Sequence, residues 1–134
     1  MKIVVMGCGK VGTKLAETLI SDKHEVTLID TDIDKCKITA NELDTLIIHG
    51  DGTNPHILEE AGIEHANVFI AATAHDDTNL MASCLARDYK VPKIISRIVD
   101  PQHETVFHEA GINNLIRPEL IVAEHLKKII TMAT

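Results

Sequence analysis

Six short apolar runs punctuate the chain: Lys2–Met6, Val26–Ile29, Leu46–His49, Val68–Ala72, Ile94–Val99 and Asn114–Ile116. They are nearly continuous in apolar residues rather than alternating. That is the pattern of strands buried on both faces, and such strands are usually parallel. Helical patterns lie between them. Val11, Leu15, Ala16 and Leu19 share one predicted helix face, and so do Leu80, Cys84 and Leu85. Asn54-Pro55 and Asp100-Pro101 each set a capping side chain before a proline at a first helical position, and Gly62 and Gly111 stand where helix C-terminal glycines belong. The strings Glu60-Ala61-Gly62-Ile63 and Glu109-Ala110-Gly111-Ile112 are alike, and each leads into a strand. They read as the pseudo-symmetry of two mononucleotide-binding halves. No low-complexity linker breaks the pattern. The prediction is one α/β domain over residues 1–134, a Rossmann-type doubly wound parallel sheet of about six strands with helices on both faces.

Composition narrows the function classes. The 134 residues include only 2% aromatics, so the core must come from Ile, Val, Leu and Ala. The formal net charge of −7 repels phosphate backbones, so no nucleic-acid partner is expected. Cys8, Cys36 and Cys84 are odd in number and show no CxxC spacing, which points to a reducing, cytoplasmic setting. No apolar run reaches the roughly 18 residues that span a bilayer, and the N-terminus opens directly on a strand pattern. Direct membrane insertion and a signal peptide are therefore not expected.

The most informative chemistry is Gly7-Cys8-Gly9-Lys10-Val11-Gly12, a GxGxxG string that follows a predicted strand and opens an amphipathic helix. Gly7 permits the tight turn, Gly9 lets a pyrophosphate approach the backbone, and Gly12 lets the helix pack on the sheet. Free N–H groups at the helix start, with the helix dipole, then favour an anion. Asp30 ends the second strand, eighteen residues after Gly12. A carboxylate there accepts hydrogen bonds from ribose hydroxyls and repels a 2′-phosphate, and Thr31 and Asp32 follow rather than an arginine. NAD is favoured over NADP. The alternative role for Asp30 is to cap the next helix.

Ligands of such sheets sit beyond the C-terminal strand ends. The third strand ends in His49-Gly50-Asp51-Gly52-Thr53, two glycines around an acid, suited to a close approach to adenosine or to an ordinary turn. The fourth ends in Ala71-Ala72-Thr73-Ala74, small residues with one hydroxyl. In the fifth, Arg97 interrupts an apolar run and needs an anionic partner, either a phosphate in the cleft or a carboxylate across a subunit interface. Lys10 either reaches a phosphate or is solvated.

Other constellations carry less. None of the eight histidines pairs at the i, i+4 spacing of a helical metal site, and no metal is expected. His75-Asp76-Asp77 reads as a polar loop with Asp76 or Asp77 capping a helix. Tyr89 and Lys93 have Tyr-x-x-x-Lys spacing, but Pro92 ends the helix between them. Cys8 has no neighbouring histidine to make it a nucleophile.

Taken together, GCGKVG, Ile29-Asp30, His49 to Thr53, Ala71-Ala72-Thr73 and Ser96-Arg97-Ile98 followed by Asp100-Pro101 resemble the nucleotide-binding lobe of TrkA-type potassium-transport regulators, also called KTN or RCK domains. The resemblance covers essentially the whole chain. It implies a cytoplasmic, non-enzymatic regulatory subunit that binds NAD, with NADH, ATP or ADP as other ligands. It also implies a homodimer or larger ring beneath a potassium-translocating membrane protein. By position it places Gly7 to Val11 on the phosphates, Asp30 on ribose, Asp51 and Gly52 near the adenosine, Thr73 and Ala74 near the loop, and Arg97 on phosphate. Many members have Arg where this chain has Lys10. Many also carry a C-terminal lobe, so a chain that stops within the helical pattern Lys127–Thr131 reads as truncated before it. The competing reading is a small NAD-dependent oxidoreductase, or the cofactor-binding fragment of one.

Overall fold

The computed structural model describes residues 1–132. Six strands alternate with six helices: β1 (Lys2–Met6), α1 (Lys10–Ser21), β2 (Glu25–Asp30), α2 (Ile33–Glu42), β3 (Leu46–His49), α3 (Pro55–Glu60), β4 (Val68–Ala71), α4 (Asp76–Asp88), β5 (Lys93–Arg97), α5 (Glu104–Glu109), β6 (Asn114–Ile116) and α6 (Pro118–Thr131). All strand pairs are parallel, in the order β3-β2-β1-β4-β5-β6. The strand order therefore reverses between β1 and β4, which opens a crevice at their C-terminal ends.

The period of two in β1 sorts its side chains onto two cores. Ile3 and Val5 pack with Ala16 and Leu19 of α1 and with Val26 and Leu28. Val4 and Met6 pack with Leu58 of α3, with Ala82 and Ala86 of α4 and with Phe69. A third cluster, Ile98, Phe107 and Ile112, seats α5. Both phenylalanines are buried, so they join the aliphatic core that composition demanded. Full burial of each large side chain stabilises the fold by roughly 1.5–3 kcal/mol.

The local signals act as their chemistry requires. Asn54 accepts from the His56 N–H, and Asp100 from the Gln102 N–H. Gly62 and Gly111 adopt left-handed φ values of 82° and 83° behind α3 and α5. Four details differ from the expectation. Val11 is 55% exposed, because α1 starts at Lys10 and turns Gly12 and Ala16 inward instead. The buried face of α4 is Asp76, Asn79, Ala82, Ser83 and Ala86, with Leu80, Cys84 and Leu85 at its flanks. The two Glu-Ala-Gly-Ile strings are not symmetry mates: α3 is the crossover between the halves, whereas α5 lies inside the second half. Their likeness comes from a shared way of ending a helix, with a buried Ile63 or Ile112 after the glycine. Finally, β5 stops at Arg97, so that residue ends the strand rather than interrupting it.

Candidate functional site

Five strand ends converge on one cleft of about 380 Å³. The turn after β1 supplies Gly7 and Gly9, and β2 supplies Asp30. The β3 turn supplies Gly50, Asp51 and Gly52, the β4 turn supplies Ala72 to His75, and β5 supplies Arg97. Eight expected residues thus line one cavity: Gly7, Gly9, Asp30, Asp51, Gly52, Thr73, Ala74 and Arg97. Cys8, Lys10, Val11 and Gly12 do not line it. Lys10 instead borders a separate surface hollow with Lys14 and Glu17.

The glycine loop is drawn tight by its neighbours. Gly7 has φ +123°, a conformation that side chains rarely adopt, and donates to Ile29 O at 2.7 Å. A Cβ on Gly12 would collide with Gly7 O, so α1 sits as close to the loop as a helix can. A Cβ on Gly9 would meet nothing within 4 Å. Its missing side chain leaves open space, and Gly9 itself lines the cleft. Helix α1 has no capping side chain, so its first-turn N–H groups are left for a ligand or water.

Asp30 has two tasks inside the protein. Its Oδ2 accepts from the Cys8 N–H at 2.7 Å, and its Oδ1 accepts from the Asp32 N–H at 2.8 Å. It does not cap α2, because Asp32 does, accepting from the Asp34 and Lys35 N–H groups. Asp30 therefore holds the loop against β2 and still faces the cleft. The Cys8 thiol points into the core. Burial first, then the Asp30 carboxylate and the Cys36 thiol, push its pKa up to about 12, so it stays protonated and unreactive at neutral pH. Asp51 closes its own turn by accepting from the Thr53 N–H and Oγ1–H at 2.9 and 2.7 Å.

The opposite wall depends on residues that the sequence reading missed. Asn79 is fully buried. Its Nδ2 donates to Thr73 O and Arg97 O at 3.0 and 3.1 Å, and its Oδ1 accepts from the Thr73 N–H and Oγ1–H at 3.2 and 2.6 Å. One amide thus ties the end of β4 to the end of β5. The Arg97 Nη2 lies 3.4 Å from Glu119 Oε1 at the start of α6, while its Nε is buried without a hydrogen-bond partner. The anion expected for Arg97 is thus partly a carboxylate of its own chain.

Asp76 also departs from expectation. It caps no helix. It is buried and accepts from the Val99 and Asp100 N–H groups at 2.7 and 2.9 Å and pairs with His103 Nδ1 at 2.7 Å. Burial raises its pKa, but these bonds outweigh burial and hold it below the usual carboxylate value. The bond to Asp76 in turn raises His103 above its usual value of 6.5. The signs follow from linkage. The Asp76 contribution is present above the unfolded value of 3.8 and is lost as pH falls through the folded one. The His103 contribution is full below 6.5 and is lost as pH rises through its raised value. His108, also raised, acts in the same direction as His103. A His103→Gln chain should therefore lose part of the fall in melting temperature that wild type shows as pH rises above 6.5. Identical slopes in the two proteins would refute this role for the pair.

The Tyr-x-x-x-Lys spacing does not form a site. The Tyr89 hydroxyl donates to Glu59 Oε1 at 2.8 Å, Lys93 opens β5, and neither lines the cleft.

Comparison with known proteins adds to this geometry. The family model described as TrkA-N domain matches residues 3–118. A Trk system potassium uptake protein TrkA homolog from Methanothermobacter thermautotrophicus is 49% identical over 131 residues, which are 98% of this chain and 61% of that one. The chain thus spans less than two thirds of the length of this curated relative. Among solved structures, the TrkA-N domain of inner membrane protein ybaL from Escherichia coli superposes with a TM-score of 0.86 at 20% identity, covering 96% of this chain and 95% of that one. The GsuK channel bound to NAD gives 0.83 at 21% identity, over 93% of this chain and 23% of that one. At those identities the structural likeness establishes the fold.

Proposed function

The chain belongs to the TrkA-N domain family, and from that premise we propose that it is the nucleotide-sensing lobe of a regulator of potassium transport, with NAD or an adenine nucleotide as its signal. One observation carries the reading: five strand ends bring an uncapped glycine loop, the Asp30 carboxylate and the Arg97 guanidinium to a single cleft. A carboxylate for ribose stands opposite a cation for phosphate, with open backbone between. Relatives named potassium uptake proteins, and a channel named as bound to NAD, support this direction.

The action is a switch and not a reaction. The one thiol of the loop is held protonated, and the Tyr89 hydroxyl stands outside the cleft. Helix α6 is the element that moves. It buries none of its residues and exposes Leu120, Ile121, Val122, Leu126, Ile129 and Ile130. Such an apolar face calls for a cover, and a second copy of the chain supplies it in a homodimer or larger ring. The Arg97–Glu119 pair links this helix to the cleft. A nucleotide phosphate competes with Glu119 for the guanidinium, so the state of the site reaches α6. The ligand shifts the assembly only as far as its affinities for the two arrangements differ. No described helix is long and apolar enough to cross a membrane. The partner in this reading is a potassium-translocating membrane protein, with this lobe on its cytoplasmic side.

The decisive test is mass spectrometry of the nucleotide that co-purifies with the native chain, followed by its calorimetric titration. An adenine nucleotide binding in the micromolar range supports the sensor. Stoichiometric turnover of NAD in a substrate screen would favour the oxidoreductase instead. Arg97→Ala is expected to weaken ADP by about tenfold, the loss of a charge-assisted contact, and to spare adenosine. Equal losses for both ligands would reassign Arg97 to packing.

A further inference from the structure

The head of the Arg97 side chain is weakly held. Its Nε is buried with no hydrogen-bond partner among the described residues, and its Nη2 reaches Glu119 Oε1 only at 3.4 Å, on a side chain that is 65% exposed. An exposed pair of that length fixes little. The backbone beneath the side chain is held firmly instead. Arg97 O accepts from Asn79 Nδ2 at 3.1 Å and from Ser96 Oγ at 3.0 Å. The Ile98 N–H donates to Ile116 O at 2.9 Å, and the Ile98 side chain packs against Phe107 and Ile112. The next N–H groups, those of Val99 and Asp100, both go to Asp76, at 2.7 and 2.9 Å. Every residue from Arg97 to Asp100 is therefore tied down.

Asp76 is a costly anchor for a strand exit. It opens α4, where an acid ordinarily serves the N–H groups and dipole of its own helix. Asp77 does that, accepting from the Thr78 N–H at 2.9 Å. Asp76 turns away instead, and its side chain is only 8% exposed. A carboxylate is buried at such a place only when hydrogen bonds compensate it, and bonds to an ionised acceptor are about twice as strong as neutral ones. The Val99 and Asp100 N–H groups and His103 Nδ1 converge on it. Asp76 itself does not line the cleft, whereas Arg97 does.

We infer that Asp76 is a positioning residue for Arg97: from the start of α4 it locks the exit of β5, so that the guanidinium meets a ligand phosphate already in place. An arginine fixed beforehand loses less freedom on binding, which is where pre-organisation raises affinity. The inference rests on the nucleotide reading and deepens it, since it assigns a role in phosphate recognition to a residue outside the cleft.

The test titrates ADP and adenosine by calorimetry into wild type, Asp76→Asn, Arg97→Ala and the double variant. Asparagine keeps the shape and one acceptor, but it gives up the charge and sets an NH2 group against one of the two backbone N–H groups. Asp76→Asn should lower the ADP-to-adenosine affinity ratio about fivefold. The double variant should fall no lower than Arg97→Ala alone, because an absent arginine cannot be misplaced. A merely structural Asp76 would lower the melting temperature and leave the ratio at its wild-type value, which overturns the inference. Independent losses that multiply to about fiftyfold in the double variant overturn it as well. A wild type that binds neither ligand overturns the sensor reading itself, which keeps the two failures apart. Should Asp76→Asn not fold, NMR of the wild-type chain still decides. On addition of ADP the Arg97 Nε–H resonance should shift while the Val99 and Asp100 amide resonances hold. Movement of those amides as large as that of the Arg97 Nε–H would mean an exit that forms only with ligand, and overturns the positioning role.

Discussion

A Gly9→Val chain should fold and melt close to wild type yet bind NAD at least about a hundredfold more weakly, a loss of about 2.7 kcal/mol. Gly12→Val should instead melt well below wild type. The two glycines belong to one motif, and the structure gives them opposite duties. Gly9 sits at φ −76° and ψ −174°, extended backbone open to any residue, and its added Cβ meets nothing within 4 Å. Its cost to folding is the poorer helix cap of valine, about 1 kcal/mol. The branched side chain then fills the space through which a pyrophosphate would approach the free N–H groups of α1. A Cβ on Gly12 strikes Gly7 O, a backbone atom that cannot swing aside. The loop and α1 would have to part, and overpacking of this kind costs about 1–3 kcal/mol or more. Melting curves beside calorimetry separate the cases. Normal NAD binding by Gly9→Val would remove the loop from the site.

Much of this fold was legible because its signals are local. Strands buried on both faces read as apolar runs, so the strand ends fell within two residues of their positions. Proline after Asn54 and Asp100, and glycine after α3 and α5, marked helix ends through backbone chemistry that needs no tertiary partner. The parts that were not legible depend on distance in space. Asp76 read as a helix cap in a polar loop and Asn79 drew no reading, because nothing in His75-Asp76-Asp77-Thr78-Asn79 announces burial. Only the meeting of β4 and β5 supplies carbonyls and N–H groups for those two side chains to satisfy. Glu119 as partner of Arg97 lies twenty-two residues away in sequence and had no signal at all. Val11 misled for a related reason. Apolar spacing gives a face, but the closeness of Gly12 to Gly7 sets which face turns inward. Local chemistry thus located the cleft, whereas its far wall was specified by three-dimensional pairing.

Asp30→Ala should lower both stability and NAD affinity, and its most telling effect should be on ligand choice. In the folded chain Asp30 takes the Cys8 and Asp32 N–H groups, and the first of these is partly buried. Removing the acceptor leaves them short of a partner, at about 1–3 kcal/mol for the buried one. Helix α2 should survive, since its cap is Asp32. A looser glycine loop and a lost ribose acceptor together should weaken NAD by at least about tenfold. Loop anchoring alone would produce much of that loss, so affinity for NAD does not isolate the ribose contact. The 2′-phosphate does. The Asp30 carboxylate repels it in wild type, and alanine removes the repulsion while loosening the loop equally for both ligands. The NADP-to-NAD affinity ratio should therefore rise in Asp30→Ala, and rise less in Asp30→Asn, whose amide oxygen still accepts one N–H and whose bulk remains. If the ratio stays at the wild-type value while NAD binding falls, Asp30 is a loop anchor only, and the ribose must be held from the Gly50–Gly52 turn beside it.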